Sequence, residues 1–303
     1  MLLKSYADDF AYAQRLVASF HQHNRDSIHL TIVVPEADLA MFAQMSGANV
    51  DLLGESLFAE HLVAEPVHGL RPGYINQEII KLAFWELGTA ENYFCVDSEA
   101  VFIRDFRTAD FMADDTTPYS VLVEDNELRV EPAYYHQYWV RREQEIRRIQ
   151  ELVELDDPVL RTCHGHQVFS SRVLQSLKSD FLAPRQWDYK DALAQSPYEF
   201  SWYNMWLQKS QLIDIHQREP LVKVFHNEGQ HLEYILRGIT LEDIARGYLA
   251  VVINSSFSRE LGVLSLKSNK PAALAPYLSY GETTEVVLAK LRDTFRRRIQ
   301  RKP

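Results

Sequence analysis

Residues 91–106 read Glu91-Asn92-Tyr93-Phe94-Cys95-Val96-Asp97-Ser98-Glu99-Ala100-Val101-Phe102-Ile103-Arg104-Asp105-Phe106. Tyr93 to Val96 are aromatic, apolar or β-branched and predict a buried strand. The strand meets Asp97-Ser98-Glu99, and the apolar character resumes at Ala100. Burying an unpaired carboxylate costs several kcal/mol or more. Asp97 and Glu99 are therefore expected to be wet, paired or metal-bound. A hard divalent cation takes oxygens from such a pair and keeps sites for phosphate oxygens. One reading is a metal–diphosphate site at the edge of an α/β sheet. The other is a strand end followed by an acidic turn.

Outward from this stretch, strands and helices alternate. Met1 to Lys4 predicts an abbreviated first strand. Phe10, Ala13, Leu16, Val17 and Phe20 recur at helical spacing, with Asp8 or Asp9 to cap the helix. Ile28 to Pro35 predicts a strand, Glu36 to Met45 a helix, and Asn49 to Leu53 a short strand. Arg71-Pro72-Gly73 reads as a turn. Tyr74 to Leu87 reads as a helix closed by Gly88. It delivers Lys81 toward the acidic strand end, as a contact for a diphosphate or for Asp97, or as an ordinary solvated lysine. This order predicts an α/β fold with a mostly parallel central sheet flanked by helices.

Beyond the key strand, 105–118 reads as a solvated loop. Tyr119 to Glu124 and Leu128 to Glu131 predict a hairpin around Asp125-Asn126. A charged helix is expected over 140–155. Arg161 to Phe169 reads as irregular, with His164 and His166 either in a substrate-contacting loop, at a zinc ion or in plain structure. Ser170 to Leu177 reads as a helix. Ser196-Pro197 opens an aromatic-rich helix whose first turn carries Glu199, a candidate general base or acceptor-orienting group, or a simple cap. Trp202, Tyr203 and Trp206 either pack or line a sugar. Leu221 to His226 predicts a late strand, which leaves His226 at a strand end. Residues 1–235 are expected to form the catalytic domain, and 236–303 a helical C-terminal extension packed on it.

Composition bounds the function classes. The chain has 303 residues, 46% of them hydrophobic, and a formal net charge of -10. Such a balance argues against a nucleic-acid or anionic-membrane surface. The 2 cysteines give neither a zinc cluster nor a disulfide framework. Met1 to Phe10 lacks the long apolar segment of a signal peptide, and no apolar run reaches membrane-spanning length. The expectation is a cytoplasmic protein.

Three stretches together resemble a nucleotide-sugar-dependent glycosyltransferase of the GT-A fold, similar to a group of uncharacterised bacterial glycosyltransferase-like proteins. The first is Lys4-Ser5-Tyr6-Ala7-Asp8-Asp9. The second runs from Tyr74 through Leu82 to Cys95-Val96-Asp97-Ser98-Glu99, with Asp97-Ser98-Glu99 where that family carries Asp-x-Asp. The third is Tyr198-Glu199-Phe200 followed by His226. The resemblance implies Mn²⁺ or Mg²⁺ held by Asp97, Glu99 and His226. It places Ser5, Tyr6 and Asp8 beside the base and ribose, and Lys81 and Asp97 beside the donor. It implies transfer of a sugar to a glycan or other hydroxyl acceptor; with Lys81 from the helix reading, the expected catalytic set is Glu199, Asp97 and Lys81. Glu99 departs from the usual second aspartate and moves the carboxylate by one methylene. That substitution and the abbreviated first strand motivate an alternative, an inactive nucleotide- or carbohydrate-binding protein. A metal-dependent phosphodiesterase would need a denser His and Asp set than these residues supply.

Overall fold

Tyr93 to Val96 lie within a buried strand. The computed structural model describes residues 1–123, 140–163, 165–225, 234 and 236–253. The strands are β1 (Leu2–Lys4), β2 (Leu30–Val34), β3 (Val50–Gly54), β4 (Asn92–Val96), β5 (Ala100–Phe102), β6 (Tyr119–Ser120), β7 (Val168–Ser170), β8 (His216–Gln217), β9 (Val222–Phe225) and β10 (Ala250–Ile253). The helices used below are α1 (Phe10–His23), α2 (Pro72–Ala83), α3 (Val140–Leu152), α4 (Ser171–Ser176), α5 (Tyr189–Gln195), α6 (Glu199–Ser210) and α7 (Leu241–Ala245). Contacts group the chain into two compact units. One comprises 1–7, 24–97 and 106–220; the other comprises 8–23, 98–105 and 221–303.

The first unit is built on a five-stranded sheet in the order β3-β2-β1-β4-β7. Pairings β1–β2, β1–β4 and β2–β3 are parallel; β4–β7 is antiparallel. This is the expected α/β architecture, a mostly parallel, Rossmann-like sheet flanked by helices. The parallel pairing aligns Leu3 with Val96, so Ser5 and Asp97 leave adjacent strands at the same carboxyl edge. Strands that are apolar on both faces, such as Leu30 to Val34, suit a sheet covered on both sides. The core beneath α2 gathers Ile75, Ile79, Phe84, Tyr93, Phe169 and Trp202.

The second unit carries the three-stranded sheet β5-β10-β9, with β10 antiparallel to β5 and parallel to β9. Helix α1 packs on β5. Ser19 accepts the Phe102 N–H at 3.1 Å, and the Phe20 and Phe102 rings lie 6.4 Å apart. Leu241–Ala245 and Ala250–Ile253 are the described elements of the segment read as a helical extension. Residues 254–303 lie outside the described residues.

Several local expectations change. Arg71-Pro72-Gly73 is no separate turn: Pro72 occupies the first position of α2, where its missing N–H costs nothing and its φ is preset. The helix ends through Phe84–Leu87 as a 3-10 turn, and Gly88 takes the expected left-handed conformation at φ 66°. Residues 36–45 form a 3-10 turn, one α-turn and a second 3-10 turn, because only Phe42 and Met45 supply a buried face. β6 pairs in parallel with β8, so Tyr119–Ser120 does not enter the expected hairpin by that pairing. The hairpin's other arm, 128–131, lies outside the described residues. Val168–Ser170 is a strand where irregular chain was expected, since three residues are too few to show alternation. Helix α4 then widens into a π-helical stretch, Leu177–Leu182.

Candidate functional site

Helix α2 presents Tyr74, Glu78 and Lys81 along one stripe, at spacings of four and three residues. Glu78 and Lys81 are turned inward and buried. The Lys81 ammonium lies 2.9 Å from Oε1 of Glu199, 3.3 Å from Oε2 of Glu78 and 3.6 Å from Oδ1 of Asp97. Glu199 comes from the first turn of α6 and is itself buried. Asp97 follows the carboxyl end of β4, and its other oxygen lies 3.4 Å from Nε2 of His166. The Phe200 ring centroid sits 5.0 Å from the Lys81 ammonium. The Tyr93 hydroxyl donates to the Lys81 carbonyl at 2.6 Å and ties helix to strand. All five polar residues belong to the first unit.

Three carboxylates around one ammonium leave an excess of negative charge in a dry place. A proton resolves it. Burial, and then the neighbouring Glu199 carboxylate, push the Glu78 carboxyl well above the usual range. Burial would raise Glu199 too, but the Lys81 ammonium and a hydrogen bond from Glu78 outweigh it and hold Glu199 low. Glu78 is thus the protonated partner and Glu199 the ionised one. Burial disfavours the Lys81 charge, yet Glu199, Glu78 and Asp97 overcome that and raise its affinity for the proton. Asp97 is held below its usual range: Lys81 and His166 offset the cost of burial. Burial pushes His166 down, toward the neutral imidazole, against the pull of Asp97.

The predicted site residues fall as follows. Lys81, Asp97 and Glu199 converge. Ser5 is buried, and its N–H donates to the Val33 carbonyl at 3.0 Å; Tyr6 beside it is partly exposed. Asp8 lies in the 3-10 turn Ala7–Asp9, and Glu99 in the turn before β5, both in the second unit. His226 and His164 lie outside the described residues. Trp202 and Tyr203 pack in the core: the Trp202 indole donates to the Ser196 carbonyl, and the Tyr203 hydroxyl accepts from Ser170 N–H. Glu78 and His166 are members that the sequence did not single out for this cluster. Glu78 had one signal, its place beside Ile79 and Ile80 and three residues before Lys81 on an apolar helix.

Two parts of the first unit bear on metal binding. At the cluster, Asp97 is the carboxylate with an open side chain, 34% exposed against 4% for Glu78 and 6% for Glu199. An ionised, outward carboxylate is the donor type a hard cation takes. The second part is Glu60, His61 and Glu86, whose ligand atoms all lie within 4.8 Å of one another and could hold a divalent metal.

The model of a family of unknown function (DUF6492) matches residues 2–231. No curated protein matches the chain. Among solved structures, the chain is similar to apo mouse xyloside xylosyltransferase 1, at 9% identity and a TM-score of 0.44, over 84% of this chain and 97% of that one. It is similar to the WbbM bifunctional glycosyltransferase in its apo form, at 11% identity and a TM-score of 0.45, over 83% of this chain and 45% of that one. It is similar to the galactosyltransferase LgtC in complex with donor and acceptor sugar analogs, at 10% identity and a TM-score of 0.47, over 92% of this chain and 95% of that one.

Proposed function

Given a chain that belongs to this family of unknown function, we propose that it is a glycosyltransferase of the GT-A fold. It moves a sugar from a nucleoside-diphosphate sugar to a hydroxyl acceptor in bacterial glycan or polysaccharide synthesis, in the cytoplasm. One observation carries the reading. Lys81, Glu199 and Asp97 meet at the carboxyl edge of β4, where open α/β sheets bind their ligands. Among the described residues, no helix is long and apolar enough to cross a membrane.

Each residue has a distinct role in this proposal. Asp97 faces the donor and is the first ligand of a Mn²⁺ or Mg²⁺ ion, with Glu99 and His226 as the further ligands the sequence nominates. When bound, the ion neutralises charge growing on the departing diphosphate. Lys81 lies among protein carboxylates, and that placement suits it to fixing Asp97 and Glu199 better than to gripping the diphosphate itself. Glu199 is ionised, the state a base for the acceptor hydroxyl requires. Ser5, Tyr6 and Asp8 border the nucleotide in this scheme.

The test incubates the full chain with a panel of nucleotide sugars, with and without Mn²⁺, and measures nucleoside diphosphate release. Metal-dependent release from at least one donor is expected. No release from any donor, together with no metal-dependent nucleotide binding, overturns the proposal. Metal-dependent binding without release favours the inactive binding protein instead.

A further inference from the structure

A second group of ionisable side chains lies in the first unit, away from β4. Glu60 and His61 follow the 3-10 turn Glu55–Phe58, and the His61 N–H donates to the Phe58 carbonyl at 2.9 Å. Glu86 lies in the 3-10 turn that ends α2, and Asp188 caps α5. His61 is buried, and its ring packs edge-on to Tyr189 at 5.2 Å. Its Nδ1 lies 3.2 Å from Oδ1 of Asp188. A carboxylate only accepts, so Nδ1 carries the proton. In the neutral ring this leaves a lone pair on Nε2. That atom faces Glu60 Oε1 and Glu86 Oε2, each at 3.4 Å. Two carboxylate oxygens facing one ring nitrogen call for positive charge among them, from a second ring proton or from a bound cation.

We propose that Glu60, His61 and Glu86 form a divalent-cation site of the zinc class, with Asp188 as the residue that orients His61. The spacing suits such an ion. Ligands about 2.1 Å from a tetrahedral centre stand about 3.4 Å from one another; the two nitrogen–oxygen separations match that, and all three ligand atoms lie within 4.8 Å of one another. The arrangement of carboxylate, imidazole and metal is the one that fixes a ligating histidine's tautomer. An imidazole with two carboxylates selects a transition ion over calcium. Neighbouring side chains hold Glu86 in position. The Tyr189 hydroxyl donates to its Oε1 at 2.5 Å, and the Trp85 indole donates to that hydroxyl at 3.0 Å. Lys178 lies 2.6 Å from Glu86 Oε2. Its side chain is 38% exposed, so it can yield that oxygen to solvent or to an ion. Three carboxylates against one ammonium leave room for two positive charges.

The test titrates the chelator-stripped full chain with ZnCl₂ alone, and with CaCl₂ in parallel, by calorimetry. It uses wild type, Asp97→Asn, His61→Gln, Glu60→Gln and Asp188→Asn. Asp97→Asn removes the donor-side ligand proposed above, so the two sites are read separately. The expected result is one zinc ion per chain that Asp97→Asn retains, in preference to calcium. His61→Gln and Glu60→Gln should each weaken it at least about tenfold, and Asp188→Asn about 10–100-fold. Glu60 is exposed, so Glu60→Gln reports binding even if His61→Gln does not fold. The proposal is overturned if Asp97→Asn binds no zinc, or if Glu60→Gln binds it as tightly as wild type does.

Discussion

Two clusters in the first unit have the same ingredients and different solvent. Around Lys81 stand Glu78, Glu199, Asp97 and His166. Around His61 stand Glu60, Glu86, Asp188 and Lys178. Each has three carboxylates, one lysine and one histidine. In the first, the lysine and two carboxylates are almost fully buried; in the second, Glu60 is 79% exposed and Lys178 38% exposed. A dry cluster settles surplus negative charge internally, by keeping a proton on Glu78. A wet cluster can settle it with a cation from solution. Burial, more than residue identity, decides which counter-charge is used.

The lysines should separate the clusters most sharply. Lys81→Met leaves buried carboxylates without their ammonium and should cost about 3–5 kcal/mol in urea unfolding. Lys178→Met, at a partly exposed pair, should cost no more than about 1 kcal/mol. Equal costs would break the comparison.

Catalysis is the next effect in size. Glu199→Gln keeps the shape and removes the charge, and should lower the transfer rate about 10²–10⁴-fold, measured at saturating donor.

Titration of Glu78 should follow. Its folded-state pKa is raised, so the stability it contributes is full below its ordinary value of 4.5 and is lost as pH climbs toward the folded value. Glu78→Gln mimics the protonated acid and escapes that loss. Its stability relative to wild type should rise with pH above 4.5, by at most about 1.4 kcal/mol per pH unit. Asp97 and Glu199 work in the opposite direction. Their lowered values give stability above 3.8 and 4.5 that is lost as pH falls. Unfolding midpoints of both proteins from pH 4 to pH 8 check the sign; parallel curves would place the shared proton elsewhere.

The smallest effect belongs to Tyr93→Phe. It removes the hydroxyl bond to the Lys81 carbonyl and should cost about 1 kcal/mol.

The sheet was legible in the sequence because its strands announce themselves locally. Ile32 to Val34 and Tyr93 to Val96 are continuous apolar runs, Pro35 closes the first of these strands, and Gly88 marks the end of the helix before β4. Lys81 was legible as a residue aimed at Asp97, but not as a buried one. Helical periodicity places a lysine outside, and its strongest partner, Glu199, lies 118 residues further on. Glu78 was hidden for the same reason. The His61 cluster joins adjacent residues of a loop to Glu86 and Asp188, a spacing that no linear motif encodes. Pro72 read as a turn because proline marks both turns and helix starts, and only the helix behind it distinguishes the two.

The function proposed for the cluster at the end of β4 is nucleotide-sugar transfer. Its most direct measurement is nucleoside diphosphate release from the donor panel with Mn²⁺, by wild type and by Asp97→Asn. Release by wild type that falls at least about 100-fold in Asp97→Asn is the predicted result. Equal release by the two proteins, or none from any donor by wild type, would contradict it.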